Sequence, residues 1–181
     1  MKNKGNWELV GDKTYDKFKI FEARKSTRIN PRTGKPFDFF LMSGVDWANV
    51  IALTPNNEVV LVQQYRHGAE SYQIEIPGGC IEPGENPADS ALRELGEETG
   101  YTATDIKPLG TIFANPAMMS MRLHCFVAFN AVKDQGVSLD PGEDIQTIVR
   151  PINSVLDMVK SGEINHALIV AAFGLYALAD R

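Results

Sequence analysis

The spacing of hydrophobic and polar positions changes several times along this 181-residue chain. Two short apolar runs, Val50 to Leu53 and Val59 to Tyr65, flank the turn-forming stretch Thr54-Pro55-Asn56-Asn57-Glu58 and predict a β-hairpin. Upstream, Lys17 to Ile29 mixes β-formers with charges as a half-exposed strand does, Asn30 to Pro36 is a turn, and Phe37 to Val45 is the returning strand. Residues 1 to about 14 are polar and weakly patterned, which predicts a frayed start or an edge strand. Further on, Ile106 to Phe113 and Leu123 to Val132 read as strands joined by a loop from Ala114 to Arg122. An acidic turn, Asp140 to Asp144, precedes a strand from Ile145 to Val149. Asn153 is expected to cap a short helix to Lys160, and Asn165 to open the apolar helix that closes the chain.

Between the hairpin and the later strands, the period switches to that of a helix. Asn86 is a good N-cap, Pro87 suits the first helical position, Asp89 can reach back to free amides, and Gly100 suits a left-handed stop. Ala88, Ala91, Leu92 and Leu95 fall on one packing face. Glu94 and Glu98 lie one turn apart on another face, with Glu97 beside them. Like charges at this spacing destabilise a helix by a few tenths of a kcal/mol per pair, and the helix dipole disfavours anions near the C-terminus. A hard divalent cation resolves the conflict, because carboxylate oxygens are its preferred ligands; a solvated acidic face is the plainer alternative.

The preceding loop decides between these readings. From Gly79 the chain runs five residues to Glu85, seven more, and then Arg93-Glu94-Leu95-x-Glu97-Glu98-x-Gly100-Tyr101. This spacing resembles the signature of the Nudix hydrolases at every specified position, with Tyr101 in a slot that family usually fills with an apolar residue. The resemblance implies an α/β fold, an α/β/α sandwich with a mixed sheet, and hydrolysis of a nucleoside diphosphate linked to another group. It implies that Glu94 and Glu98 hold Mg²⁺, for which Mn²⁺ can substitute, with Glu97 in or beside the cluster and the Gly78 carbonyl as a further ligand. Arg93 and Glu85 would be the ion pair that orients the site; Arg93 is also placed to pair with Glu97 one turn on.

The segment before the box narrows the resemblance. Phe18, Phe21, Phe37, Phe39, Phe40 and Trp47 make the N-terminal hairpin unusually aromatic. Such rings either pack on the main sheet or form a stacking platform. The ADP-ribose pyrophosphatases and related nucleoside diphosphate sugar hydrolases carry a strand unit here that pairs two subunits and helps hold the base, with Phe18 and Phe39 at matching places. Gln63-Gln64-Tyr65-Arg66-His67 is similar to a stretch of that branch whose arginine binds the diphosphate, a task a planar guanidinium suits. Arg66 also reads as an ordinary strand-end arginine. Glu75, in Gln73-Ile74-Glu75-Ile76-Pro77, would reach substrate or metal, or pair with Arg66. A late acidic loop in that branch supplies the general base, which makes Glu143 the candidate and Asp144 the second, against a merely solvated turn. The loop after the box departs from the branch: Pro116 and Ser120 match, but methionines replace an aromatic and Arg122 stands where an acid is usual. Those methionines suit either an adaptable pocket wall or core filling.

Composition sets the remaining bounds. A net charge of −5 and a pI near 5.2 argue against a nucleic-acid surface. Cys80 and Cys125 have neither zinc spacing nor a disulfide framework. No leader-like start and no run of transmembrane length are evident, so a cytoplasmic protein without membrane partners is expected. The reading is therefore residues 1–45 as an N-terminal extension for dimerisation and base binding, and 46–181 as the catalytic domain. Together they form a homodimer that cleaves nucleotide sugars such as ADP-ribose or GDP-mannose to a nucleoside monophosphate and a sugar phosphate. The alternatives are a nucleoside triphosphate or capped-RNA pyrophosphohydrolase and a non-catalytic sensor of nucleotide sugars.

Overall fold

Turn chemistry and alternation account for the first unit of the fold. The computed structural model describes residues 5–179 and divides into two compact units, the first comprising the chain up to Val45 together with Phe113–Arg122. Strands β1 (Leu9–Lys17), β2 (Phe21–Ile29) and β3 (Pro36–Gly44) form an antiparallel sheet in that order. The weakly patterned start is thus an edge strand over Leu9–Lys17, and the unit has three strands rather than a two-stranded hairpin; residues 1–4 lie outside the described residues. Asn30 closes the β2–β3 turn by bonding its N–H to the Lys35 carbonyl, and Gly34 takes the left-handed conformation (φ 70°) that this turn needs. Cross-strand charges line the sheet, with Arg24 on Asp12 and Lys25 on Asp38 at 3.0 Å.

Aromatic rings stand out from this sheet. Trp7 meets Phe39 edge-on, Tyr15 stacks with Phe40, and Phe18 lies 4.8 Å from Phe21 between centroids. Phe18, Phe37, Phe39 and Phe40 are all exposed, Phe40 at 68%. Segment 114–121 docks on β3 through Met42, whose N–H donates to the Met118 carbonyl and whose own carbonyl accepts from Ser120. Of its methionines, Met121 is buried and Met118 exposed, while Arg122 lies over the Phe113 ring.

In the second unit (Asp46–Ile112 with Leu123–Arg181), period-2 alternation builds a two-sided sheet. Its main path runs β12 (Ile145–Pro151), β5 (Glu58–Arg66), β4 (Trp47–Leu53), β10 (Arg122–Phe129), β9 (Asp105–Phe113), with β6 (Ser71–Glu75) on β5 and β7 (Gly78–Cys80) on β4. The β4–β10 pair is parallel and β4–β5, β5–β6, β4–β7 and β5–β12 are antiparallel, so the sheet is mixed. Ala48, Val50, Ala52, Val60, Phe126 and Ala128 pack with Ala91 and Leu95 of helix α1 (Pro87–Thr99). Ile51, Leu53, Val59, Leu61 and Val127 pack with Val155 of α2 (Ile152–Ser161) and with Ile169 and Phe173 of α3 (Ala167–Leu178). One helix on one face and two on the other make an α/β/α sandwich, in which each fully buried Leu, Ile or Phe contributes roughly 1.5–3 kcal/mol. A two-stranded ladder, β8 (Tyr101–Thr102) with β11 (Val132–Lys133), follows the end of α1.

Several boundaries differ from those expected. The strand expected to reach Val132 stops at Phe129, because Asn130 adopts a positive φ of 55°. Neither late asparagine caps a helix. Pro151 stands at the N-cap of α2, where β12 runs straight into the helix and Ile152 drops into the core, and His166 stands at the N-cap of α3. Among the described residues no helix is long and apolar enough to cross a membrane.

Candidate active site

Helix α1 is built to present its carboxylates at a fixed height. Asn86 accepts from the Ala88 N–H at 2.9 Å, and Gly100 ends the helix in the left-handed region (φ 73°), donating to the Gly96 carbonyl. With Ala91 and Leu95 pinned to the sheet, Glu94 and Glu98 are turned towards β7. The Gly78 N–H donates to Glu98 Oε2 at 3.1 Å. Glycine is required at 78 because a side chain would drive into the Ala48 carbonyl and Asn49 of β4, and at 79 because it would overlap the Glu94 carboxylate.

Arg93 ties the loop to the helix. Its Nε donates to Glu85 Oε1 at 2.9 Å and its Nη1 to Glu94 Oε1 at 3.0 Å and Glu97 Oε2 at 2.9 Å. Its Nη2 reaches Glu85, the Cys80 carbonyl and the Ser90 hydroxyl. Both partners readable from the sequence, Glu85 and Glu97, are therefore engaged at once. The guanidinium holds the Glu85 carboxyl down to about 2, and these acids raise Arg93 above its already high value.

Glu98 is in the opposite situation. It is 3% exposed, and burial together with the charges of Glu94 and Glu143 pushes its carboxyl up to about 8, against the opposing effects of the Gly78 amide and Arg66. Burial also raises Glu94, against the pull of Arg93. Arg66, at the end of β5, grips Glu75 of β6 through two hydrogen bonds of 2.6 and 2.8 Å, and Glu75, Glu98 and Glu143 all raise it. Glu75 is therefore a buried ion-pair partner of Arg66. Glu143 sits in the 140–144 turn, its carboxylate accepting from the Asp140 N–H at 2.9 Å, yet its charge is felt at Glu94, Glu98 and Arg66.

The donor chemistry fits a hard divalent cation. Three carboxylates crowd the last turns of a helix that carries no basic residue in its final turn, and the most buried of them, Glu98, forms no ion pair among the described residues and feels Arg66 only as a neighbouring charge. Among the described residues no three Asp, Glu, His or Cys side chains converge closely enough to cage an ion; Arg93 Nη1 lies between the Glu94 and Glu97 carboxylates. A bound ion would bring positive charge to a group of carboxylates that is already short of it.

The expected residues thus fall into linked groups: Glu85, Arg93, Glu94 and Glu97 around one guanidinium, Glu98 on Gly78, and Arg66 on Glu75, with Glu143 in their field. Phe18 and Phe39 belong to the first unit. Sequence reasoning missed the Cys80 carbonyl and Ser90, although Ser90 stands three residues before Arg93 on the helix. It also missed Asn49, whose buried Oδ1 has no hydrogen-bond partner among the described residues and whose Cβ lies beside Gly78.

The NUDIX domain profile matches residues 46–173. The chain belongs to the Nudix family. That span holds the box and every candidate above except the two phenylalanines. Among its relatives, the methanol dehydrogenase activator of Bacillus methanolicus is 36% identical over 124 residues, 68% of this chain and 67% of that protein. The ADP-ribose pyrophosphatase of Bacillus subtilis is 34% identical over 119 residues, 65% of this chain and 64% of the relative, so the match spans under two thirds of that protein's length. The ADP-sugar pyrophosphatase of Mus musculus is 30% identical over 185 aligned positions, 98% of this chain and 83% of the mouse protein. A solved structure of an ADP compounds hydrolase superposes with a TM-score of 0.86 at 22% identity, covering 98% of this chain and 96% of the other. That last likeness is one of fold, and it includes the three-stranded first unit.

Proposed function

We propose that this Nudix protein hydrolyses the diphosphate bond of nucleoside diphosphate sugars, ADP-ribose and other ADP-sugars first and GDP-mannose next, to a nucleoside monophosphate and a sugar phosphate. The names borne by its pyrophosphatase relatives support this substrate class. The observation that carries the reading is the buried Glu98 on Gly78, with Glu94, Arg66 and Glu143 acting on it.

Glu94, Glu98, Glu97 and the Gly78 carbonyl would hold Mg²⁺, or Mn²⁺ in its place. A divalent cation there supplies positive charge for the diphosphate oxygens and acidifies water. Arg66, held through Nε and Nη2, keeps Nη1 and the second Nη2 hydrogen for phosphate oxygens. Glu143 takes the proton of the attacking water as the water oxygen bonds to phosphorus and the bridging P–O bond breaks. Arg93 and Glu85 position α1 against the loop. In the first unit, Phe18 and Phe39 stack the base, and the exposed aromatic sheet pairs two copies as a homodimer. A chain with only two cysteines, Cys80 and Cys125, at spacings that make no disulfide framework suits the reducing cytoplasm as the place of work.

The test is phosphate release, after phosphatase treatment, from ADP-ribose, GDP-mannose, UDP-glucose and nucleoside triphosphates, with and without Mg²⁺. Turnover of diphosphate sugars that needs the ion and is lost in Glu98→Gln supports the proposal. Preference for a triphosphate, or tight binding of ADP-ribose without cleavage, overturns it.

A further inference from the structure

Gly96 has no conformational reason to be glycine. It lies inside α1, it is not among the residues with positive φ, and glycine there weakens a helix relative to alanine. The side-chain amide of Gln135, an exposed residue, lies over the space instead: a Cβ at position 96 would overlap Gln135 Nε2, the far end of a flexible side chain, and lie 3.5 Å from its Cδ. The missing side chain is a seat for another residue's amide.

Gln135 opens a segment fastened to the C-terminal end of the same helix. The N–H groups of Asp134 and Gln135 donate to the Gly100 carbonyl at 3.2 and 3.3 Å, and the Ser138 N–H donates to the Glu97 carbonyl at 2.8 Å. Thr102 Oγ1 donates to Asp134 at 2.8 Å beside the β8–β11 ladder. These bonds use carbonyls that the end of a helix leaves without intrahelical partners. Beyond Ser138 the chain forms the 140–143 turn and joins β12, where Ile145 pairs with Gln64 of β5. Glu143 is therefore suspended between two anchors, one on the helix of the carboxylate cluster and one on the strand that carries Arg66.

We propose that Gln135, seated on Gly96, is a positioning residue that registers the Glu143 turn against the Glu94–Glu98 face of α1. This rests on the reading above that Glu143 accepts the proton. Removing the seat leaves helix and cluster intact but lets the turn drift. A misplacement of the order of 1 Å is enough to cost up to about a hundredfold in rate.

The experiment uses the full chain loaded with Mg²⁺ and compares Gly96→Ala, Gln135→Ala, the double variant and Glu143→Gln. It reads kcat and KM for ADP-ribose, Mn²⁺ affinity by calorimetry, and Tm. Gly96→Ala is expected to raise Tm, since alanine is the better helix former, while lowering kcat about tenfold with KM and Mn²⁺ affinity within about twofold. Gln135→Ala should show the same kcat loss, and the double variant no more than either. Unchanged kcat in Gly96→Ala, losses that multiply in the double variant, or a kcat that falls only together with Tm would overturn the proposal. Glu143→Gln separates the two levels. If it keeps full kcat, the proton-acceptor reading fails and the positioning role with it. If it is slow while Gly96→Ala and Gln135→Ala are normal, the positioning role alone fails.

Discussion

Arg66 and Glu75 form a closed pair on neighbouring strands, Nε to Oε1 at 2.6 Å and Nη2 to Oε2 at 2.8 Å, in which the Glu75 side chain is 3% exposed and the Arg66 side chain 42%. The asymmetry matters. Among the described residues Glu75 has Arg66 as its ion-pair partner, whereas Arg66 retains contact with solvent.

Removing the two partners should therefore have unequal effects. Arg66→Ala leaves a buried carboxylate uncompensated and should cost about 2–4 kcal/mol in urea unfolding, while Glu75→Gln keeps one acceptor and should cost about 1 kcal/mol. Glu75→Gln should raise KM for a diphosphate sugar several-fold with a smaller change in kcat, because the guanidinium loses its aim. Equal destabilisation by the two variants would show that the pair is not held as described.

Metal-free stability should fall as pH rises through the neutral range. The Glu98 carboxyl stands at about 8 against an ordinary value of 4.5, so between these limits the folded chain binds more protons than the unfolded one. Stability must then decline with rising pH over that window. In EDTA the Tm should drop from about pH 5 to pH 8, and Glu98→Gln should flatten the slope. Adding Mg²⁺ should restore Tm most at the upper end, where the ligand is ionised. A Tm profile that is the same with EDTA and Mg²⁺ would contradict the assignment.

Glu85 shifts the other way. Arg93 holds its carboxyl at about 2 rather than 4.5, so its contribution is complete above about 4.5 and is lost as pH falls towards 2. Glu85→Gln should remove that acid limb from the Tm profile. It should also lower kcat by about tenfold or more, since Arg93 is then free to sit more firmly on Glu94 and Glu97. An unchanged acid limb would mean that the pair contributes nothing to folding.

The first unit offers an association test. Phe40 is 68% exposed and stacks only with Tyr15 among the ring contacts of the described residues. Phe40→Glu should shift sedimentation from dimer to monomer if the aromatic sheet is the pairing surface. Sedimentation as a dimer in both proteins would move the interface elsewhere.

Local chemistry was the most legible part of this chain. Asn86, Pro87 and Gly100 mark the ends of α1 because a cap is decided within four residues, and the box carboxylates follow from helical spacing. The apolar run from Val59 was legible as a strand, but that Val59 and Leu61 face one core and Val60 the other came only with the sandwich the resemblance implied. Strand β7 was not: Gly78-Gly79-Cys80 has no pattern of its own and becomes a strand by pairing with Trp47–Asn49 of β4. Asn153 and Asn165 look like caps, but where α2 begins is settled by Ile152 reaching the core, a tertiary effect. Glu75 could be recognised as a polar residue inside a strand, while its choice of Arg66 over substrate or metal depends on a turn that folds β6 back on β5. Gly96 carried no signal, because its purpose lies 39 residues downstream in Gln135.

Strand β5 has a consequence for how the gene can change. Val59 and Leu61 lie in one core and Val60 in the other, and the same alternation places Val62, Gln64 and Arg66 on the α1 side. The strand is thus both a structural beam and the scale that sets which side of the sheet Arg66 faces. A single codon gained or lost between Val59 and Arg66 would turn that guanidinium away from Glu75 and exchange buried valines for glutamines. Length variation among descendants should collect instead at Pro55–Asn57 and His67–Glu70, with β5 kept at constant length even where its residues drift.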